Sequence, residues 1–497
     1  MSYHEERLQE IADAIRTKKG TTESIPATNF ADEILSLQSG GKYNIEQIID
    51  EDECELYITD SEDSKLYLCE AIDYDGTVLK REMLPAGAEF VLPEFPQHER
   101  LTAQEWSGTV QVSNGKVTVP EKDIIFGVVY TTKSGSTEFD VKLNAITGKK
   151  VFLNLSGQKD WGDGSSDSLT YHTYADYGEY TIKWDGSLLD SGEDLKSLFA
   201  EYSDEDSICC VNVHIGSNVT EINRAFIFIP TLKTITIPKS VSQISSESFY
   251  TLDVLHYITF SSSLTTISFG SEYAKRIVIP YNCTKLSVSS GSLTKINLPN
   301  TIIELSVTSN QLKEIKIPEN VEKLSLSCAN ITEVDIPNKV KYLSFSCAKV
   351  EKLNIPDSVT QLPTISGNNL KEVVMGNSVT GSITTFSAPY ITSLKLSDNI
   401  TTIGFGSGFL QSLYLLKEIK MPANVNSIGT KCFNSYCYSL EKIDFSSITN
   451  IPTEKTGKFK ISPHCKVVVP DAFYDTMYNS SSWADVKNNL CKASEVV

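Results

Sequence analysis

The chain has 497 residues, 40% hydrophobic and 22% charged, an ordinary soluble composition with length for about three domains. Its formal net charge of -19 is unevenly placed: residues 1–215 carry 41 Asp/Glu against 18 Lys/Arg, and residues 216–497 carry 22 against 26. Neither part has the clustered Lys and Arg that a phosphate backbone or an anionic lipid surface demands, which argues against nucleic acid and membrane partners.

In chain order, Leu8, Ile11, Ala12 and Ile15 fall at i, i+3, i+4 and i+7 and Gly20 ends the pattern, predicting a short helix. A second follows over Phe30 to Leu37, with Asn29 placed to cap and Phe30, Ile34 and Leu37 forming an apolar stripe. Helices this short need a surface to lie against. Residues 1–40 therefore read as an attachment segment, with Leu8, Ile11, Ile15, Phe30, Ile34 and Leu37 as its docking face, either on the rest of the chain or on another subunit. The start of the sequence shows no signal-peptide core, and no run reaches a membrane span of roughly 18 apolar residues.

After the Ser39-Gly40-Gly41 linker, residues 41–134 carry aromatic and β-branched runs broken by turns such as Asp75-Gly76, predicting a β-rich domain. Residues 135–190 suit a small antiparallel sandwich, with a turn at Asp163-Gly164 and alternation through Tyr180-Thr181-Ile182-Lys183-Trp184. Residues 191–214, containing LKSLFAEY, read as a helical connector.

From 215 to 470 a repeat takes over. VEKLSLSCANITEVDIPNK and VKYLSFSCAKVEKLNIPDS follow one another directly. Anchored on the Ile-Pro step, the register runs through Gly216, Pro238, Ser261, Pro280, Pro299, Pro318, Pro337, Pro356, Met375, Ser397, Pro422, Ser446 and Pro470, with nineteen-residue steps from Ser261 to Met375. Two alternating bursts per unit predict two strands per coil and two parallel sheets. One thin coil cannot bury enough apolar surface to offset its own ordering, so coils must stack and the ends must be capped. Residues 471–497 read as a polar helical cap. The fold class is thus mostly β: short N-terminal helices, sandwich-like domains, and a solenoid closed by a C-terminal cap.

In the tight block the alternation turns Ser287, Ser306, Ser325 and Ser344 outward in register, with Ser289, Thr308, Ser327 and Ser346 in a second lane beside them. This is a candidate ligand-binding face; the bland alternative is a soluble sheet surface. Inward, Ser290, Ser309, Cys328 and Cys347 share one small-residue position, where packing is favoured over a Cys328 to Cys347 bridge. The longer coils add aromatics, among them Phe405, Phe409, Tyr414, Phe433, Tyr436 and Tyr438. Phe405, Phe409, Tyr414, Tyr436 and Tyr438 are candidate ligand anchors if exposed and core filler if not.

Catalytic and metal signatures are missing. The 11 cysteines lack zinc-site spacing, the six histidines are scattered, Gly148-Lys149-Lys150 lacks the rest of a phosphate loop, and Phe405 stands where a nucleophile elbow needs its first glycine. Asp163 reads as a turn residue. No catalytic, cofactor or metal site is expected.

The units Val241 to Leu264 and Val425 to Ile448 resemble BspA-type leucine-rich repeats, with an Ile-Pro strand, a Val-x-x-Ile step and an aromatic-bearing turn; the tight units lack that turn. WGDGSSDSLTYHTYADYGEY (Trp161 to Tyr180) resembles a PKD-like immunoglobulin-type module through its Trp-Gly-Asp-Gly turn and His-x-Tyr step. Leu8 to Leu37 is similar to attachment segments of tail and baseplate-associated proteins of phages and prophages of Gram-positive gut bacteria, and VVVPDAFYDTMYNSSSWADVKNNL looks like the end of prophage repeat proteins. These resemblances imply a tail adhesin, docked on tail or baseplate proteins through its N-terminus and binding a bacterial surface glycan or protein. Its place would be the virion tail, reached by lysis. Single copies and a homo-oligomer both remain open. The rival expectations are a BspA-like cell-surface adhesin and a polysaccharide depolymerase.

Overall fold

The computed structural model describes residues 65–496, except 144–149, 154, 187–188, 191–207, 224–225, 227–228, 230, 246–248, 250–251, 253, 362, 384–385, 405–412, 430–438 and 455–460, together with the backbone of two earlier strands. The attachment helices expected within residues 1–40 lie outside the described residues. Two compact units result. The first comprises Met1–Tyr67, Met83–Ala88 and Thr118–Lys122. In it Tyr43–Ile49 and Cys54–Asp60 pair antiparallel, Tyr43 opposite Asp60 and Ile49 opposite Cys54.

The second unit holds everything else. It opens with a mixed sheet whose strands run, in order, over residues 78–82, 68–72, Ile124–Thr132 and Leu101–Gly108. The predicted turn at Asp75-Gly76 joins the first two strands, its Gly76 N–H donating to Asp73 O. All nine residues of Ile124–Thr132 are buried, because its two faces are covered differently. On one, Leu101, Val128 and Tyr130 form a small core with Phe95 and Trp106; on the other, Ile72 and Ile125 meet Tyr257 and Val278 of the repeat region. Contact there is close enough to require glycine: a Cβ on Gly127 would stand 2.0 Å from Thr259 Oγ1 and 2.3 Å from the Tyr257 hydroxyl. The part of the β-rich domain that belongs to this unit is therefore packed along the first coils.

The segment 137–184 also departs from expectation. It does form two sheets around Phe139, Val151, Trp161, Tyr174, Ile182 and Trp184, and Lys159–Asp160 and Ser166–Asp167 make the predicted hairpin. But its main sheet does not stop. Thr137–Leu143 pairs antiparallel with Ile208–His214, which pairs parallel with Thr234–Thr236 of the first coils. The connector expected over 191–214 thus ends in a strand. Ile208–His214 lies between two strands with open ladder edges, and that long-range pairing decides its conformation. Gly216 then passes so close to Gly135 that a Cβ would meet its carbonyl oxygen at 2.1 Å. Physically the segment is a cap on the solenoid's first edge, fused into one continuous core that runs from Phe139 to Leu490.

In the solenoid each coil turns a corner after its proline: the carbonyls of Pro238, Pro280, Pro299, Pro318, Pro337, Pro356 and Pro422 each accept from the N–H three residues on. Proline suits this place because it ends a strand without needing a donor. Seven strands, Thr266–Gly270, Lys285–Ser289, Glu304–Ser309, Lys323–Cys328, Tyr342–Cys347, Thr364–Ser366 and Phe386–Ser387, form one parallel sheet. Leu286, Leu305, Leu324 and Leu343 stack in register and are buried. Ser290 and Ser309 donate inward to the carbonyls of Ala274 and Leu293. Below them Cys328 and Cys347 are buried free thiols, and the Cys328 thiol is raised by its hydrogen bond with Cys347 and by burial.

One anchor is corrected. Ile355 pairs with Met375, and Gly376, not Met375, occupies the proline's turn position. The step is twenty residues. The extra residue lies between Val359, which still follows its turn in step with Val340, and Thr364, which pairs with Ser344. At the far end the predicted helical cap is seen as Asp471–Tyr478 and a 3-10 segment Ser481–Asn489. It includes a strand the sequence did not announce: Leu490–Lys492 pairs parallel with Lys466–Val469. Trp483 closes the last coil, edge-on to Phe445 at 5.5 Å.

Candidate binding surfaces

A strand in the tight block points every second residue outward, and parallel in-register pairing repeats that residue from coil to coil. Ser287, Ser306, Ser325 and Ser344 are consecutive partners, and so are Ser289, Thr308, Ser327 and Ser346. The expected two-lane ladder is therefore present. All eight side chains are exposed or half-buried. Among the described residues none of their hydroxyls has a protein partner, so each keeps a donor and acceptor for something else. The ladder is also longer than the sequence suggested. Ser268 precedes it, and Thr364 and Ser366 continue it; the twenty-residue step had put these last two out of register.

A third lane flanks the hydroxyls. Lys285, Glu304, Lys323 and Tyr342 stand side by side, with Lys285 Nζ 2.7 Å from Glu304 and Lys323 at 3.9 Å. The hydrogen bond from Lys285 holds the Glu304 carboxyl below its ordinary range. The lane's charges are thus spent on one another. Exposed charges are paired similarly elsewhere on the coils, Lys352 with Glu372 at 3.1 Å on the strands Lys352–Ile355 and Glu372–Met375, and Lys417 with Glu441 at 3.6 Å just before the strands Glu418–Lys420 and Lys442–Asp444. What distinguishes the serine face is its row of unengaged hydroxyls.

Of the aromatic anchors, Tyr414 is 38% exposed. It lies 6.3 Å from Tyr390 between ring centroids, and Tyr390, 50% exposed, was missed because it lies in the unit before the longer, aromatic-rich coils. Phe405, Phe409, Tyr436 and Tyr438 lie outside the described residues, as do Leu8, Ile11, Ile15, Phe30, Ile34 and Leu37.

One cluster imitates a catalytic triad. His172 Nε2 lies 2.8 Å from Asp163 Oδ2 and 3.4 Å from Ser165 Oγ, and that hydroxyl donates to Asp163 Oδ1 at 2.6 Å. A relay needs the carboxylate and the hydroxyl on opposite ring nitrogens; here they share one. Burial pushes the Asp163 carboxyl up, but hydrogen bonds from Ser165 and His172 outweigh it and hold it at about 2. The group clamps the Asp163-Gly164 turn, with His172 stacked on Trp161 at 5.1 Å. Among the described residues no group of three or more His, Cys, Asp or Glu could hold a metal ion. Nor is any described helix long and apolar enough to cross a membrane.

The junction between cap, mixed sheet and first coil carries a connected set of buried and half-buried polar groups. Arg100 donates to both oxygens of Asp140 at 2.8 and 2.6 Å, and Thr181 and Asn212 donate to the same carboxylate at 2.9 and 3.2 Å. Asp73 accepts from Tyr130 at 2.8 Å and meets His98 at 2.9 Å. His214 is 3% exposed; burial lowers its pKa to about 4, with Arg100 and His98 adding to the shift and Asp140 opposing it. These groups fasten the cap, the mixed sheet and the first coil together, and a cavity of about 360 Å³ opens beside Arg100, Asp140, Thr181 and Asn212.

The BspA type leucine rich repeat region matches residues 201–309, 287–384, 344–455 and 382–480, together more than half of the chain. No curated protein matches the chain. Among solved structures, the pneumococcal vaccine antigen PcpA is similar at 17% identity and a TM-score of 0.36, over 63% of this chain and 84% of that one. A leucine rich cell surface protein from Faecalibacterium prausnitzii A2-165 is similar at 19% identity and a TM-score of 0.25, over 56% and 84%.

Proposed function

Because the chain belongs to the BspA-type leucine-rich repeat family, we propose that it is a non-enzymatic adhesin whose repeat domain takes a bacterial surface ligand, glycan or protein, on its serine and threonine face. The observation that supports this is the in-register double row of hydroxyls with no protein partner among the described residues. Rows recur about every 4.8 Å across the strands and lanes about every 6.6 Å along them, a spacing suited to an extended ligand with repeated polar groups. No cofactor is needed for such binding.

For its carriage we adopt the tail reading. Residues 1–40 dock on tail or baseplate proteins of a phage or prophage particle, which is released by lysis. Placement on the bacterial cell surface is the second reading, and family membership fits it equally well.

The test is binding of the full chain to cells of Gram-positive gut bacteria. The double variant Ser306→Lys, Ser325→Lys should lose at least tenfold in affinity with an unchanged melting temperature, while Asn354→Lys on the other sheet should lose nothing. Release of oligosaccharides from the cells would replace adhesin with depolymerase. Removing residues 1–38 should abolish incorporation into particles; particles that still carry the shortened chain refute the tail reading and leave the cell-surface one.

A further inference from the structure

We propose that the groove between the Leu101–Gly108 edge of the mixed sheet and the turns of the first coils is a second binding site, for one hexose or N-acetylhexosamine unit of a glycan. It shares no residue with the serine ladder. Its floor is aromatic: Phe95 stacks on Trp106 with ring centroids 5.6 Å apart and planes 21° apart. Both rings are half-buried on Leu101, Val128 and Tyr130 and line the groove. A bulge between Ala103 and Glu105 sets the direction of this edge.

The opposite wall is built from Lys239, Ser262 and Tyr281, one from each of three successive coils. It is fixed in place. Glu105 accepts from the Ser262 N–H and hydroxyl, both at 2.8 Å, and pairs with Lys239 at 2.9 Å, while the Lys239 N–H donates to Gln104 at 2.8 Å. The open groove has a volume of about 680 Å³, within the range of ligand pockets.

The rim names the ligand class. Glu94 and Gln111 are exposed and have no protein partner among the described residues, and the Gln97 amide makes only a 3.3 Å contact with the Phe95 carbonyl. One free carboxylate and two amides offer paired donors and acceptors to neighbouring hydroxyls. The one lining cation, Lys239, is already paired with Glu105, so a phosphate or other anion finds no charge to bind. An aromatic floor for a ring's C–H face with planar polar groups at its edge fits a sugar.

The proposal rests on the adhesin reading only in making the sugar part of a cell-surface glycan. Trp106 supplies the probe, because Trp161, Trp184 and Trp483 are all at most 2% exposed. The full chain is titrated with glucose, galactose, N-acetylglucosamine and N-acetylgalactosamine and with oligosaccharides ending in each, following tryptophan emission. At least one saccharide should shift the emission saturably. Trp106→Phe should remove the shift, and Gln111→Ala, an exposed change that leaves the fold alone, should raise the half-saturating concentration at least fivefold; inorganic phosphate should give no shift. Absence of a shift with every saccharide, or a shift that persists in both variants, overturns the proposal. Loss of cell binding in the ladder variants alongside a silent Trp106 would sink this groove and leave the adhesin reading standing.

Discussion

The serine-faced block and the junction at the head of the solenoid are held together in opposite ways. In the block, a residue's partner is its own counterpart nineteen positions along: Leu324 sits between Leu305 and Leu343. In the junction each contact is made once and from far away in the chain, as between Arg100 and Asp140, 40 residues apart, or Ser107 and the Phe260 carbonyl, 153 apart. Repetition spreads stability over many equivalent contacts, whereas the junction concentrates it in a few that nothing duplicates. Damage to the block should stay local, and damage to the junction should undo the cap as a whole.

The sharpest break is Trp161→Ala. Its side chain is fully buried in the cap, and its loss should cost about 4 kcal/mol. Once the cap opens, the solenoid's first edge is unpaired, so concentration-dependent aggregation near the melting temperature is expected in light scattering. Leu324→Ala should cost about 3 kcal/mol, but hydrogen exchange should show lost protection confined to its own coil and the two beside it. Equal spreading in both variants would erase the distinction.

Acid should reach the junction first. His214 is buried neutral with a pKa of about 4, against roughly 6.5 unfolded. Its contribution is complete above the unfolded value and is lost as pH falls from about 6.5 to 4, up to about 3 kcal/mol. The urea midpoint should drop over that window, and His214→Gln should remove most of the drop. Smallest of all, Lys285→Ala should cost less than about 1 kcal/mol, because its pair with Glu304 is surface-exposed, and the loss should vanish in high salt.

The same contrast explains what could be read in advance. The block was legible because its apolar alternation, its Ile-Pro corners and its outward serines recur at short range, so four rows of the ladder followed from spacing alone. One inserted residue after Val359 was enough to misplace Met375 and hide Thr364 and Ser366. At the junction the deciding contacts are non-local. Nothing near Ile208–His214 in the chain announces that strands from residues 137 and 234 will take up both its edges. The turns at Asp75-Gly76 and Asp163-Gly164 were visible because turn chemistry is local, but the sheet that absorbs the second one into the solenoid was not. The groove lined by Trp106 and Tyr281 escaped for the same reason, its two walls lying some 175 positions apart.

Lysine acetylation of the cell-bound full chain tests the binding face most directly. Lys285 and Lys323 flank the hydroxyl ladder with side chains 55% and 65% exposed, and Lys352 and Lys417, away from the ladder's sheet, are comparably open at 59% and 73%. Binding should slow acetylation of Lys285 and Lys323 at least fivefold and leave Lys352 and Lys417 unchanged. Protection of Lys352 and Lys417 instead, or of none of the four on cells that hold the protein, would contradict it.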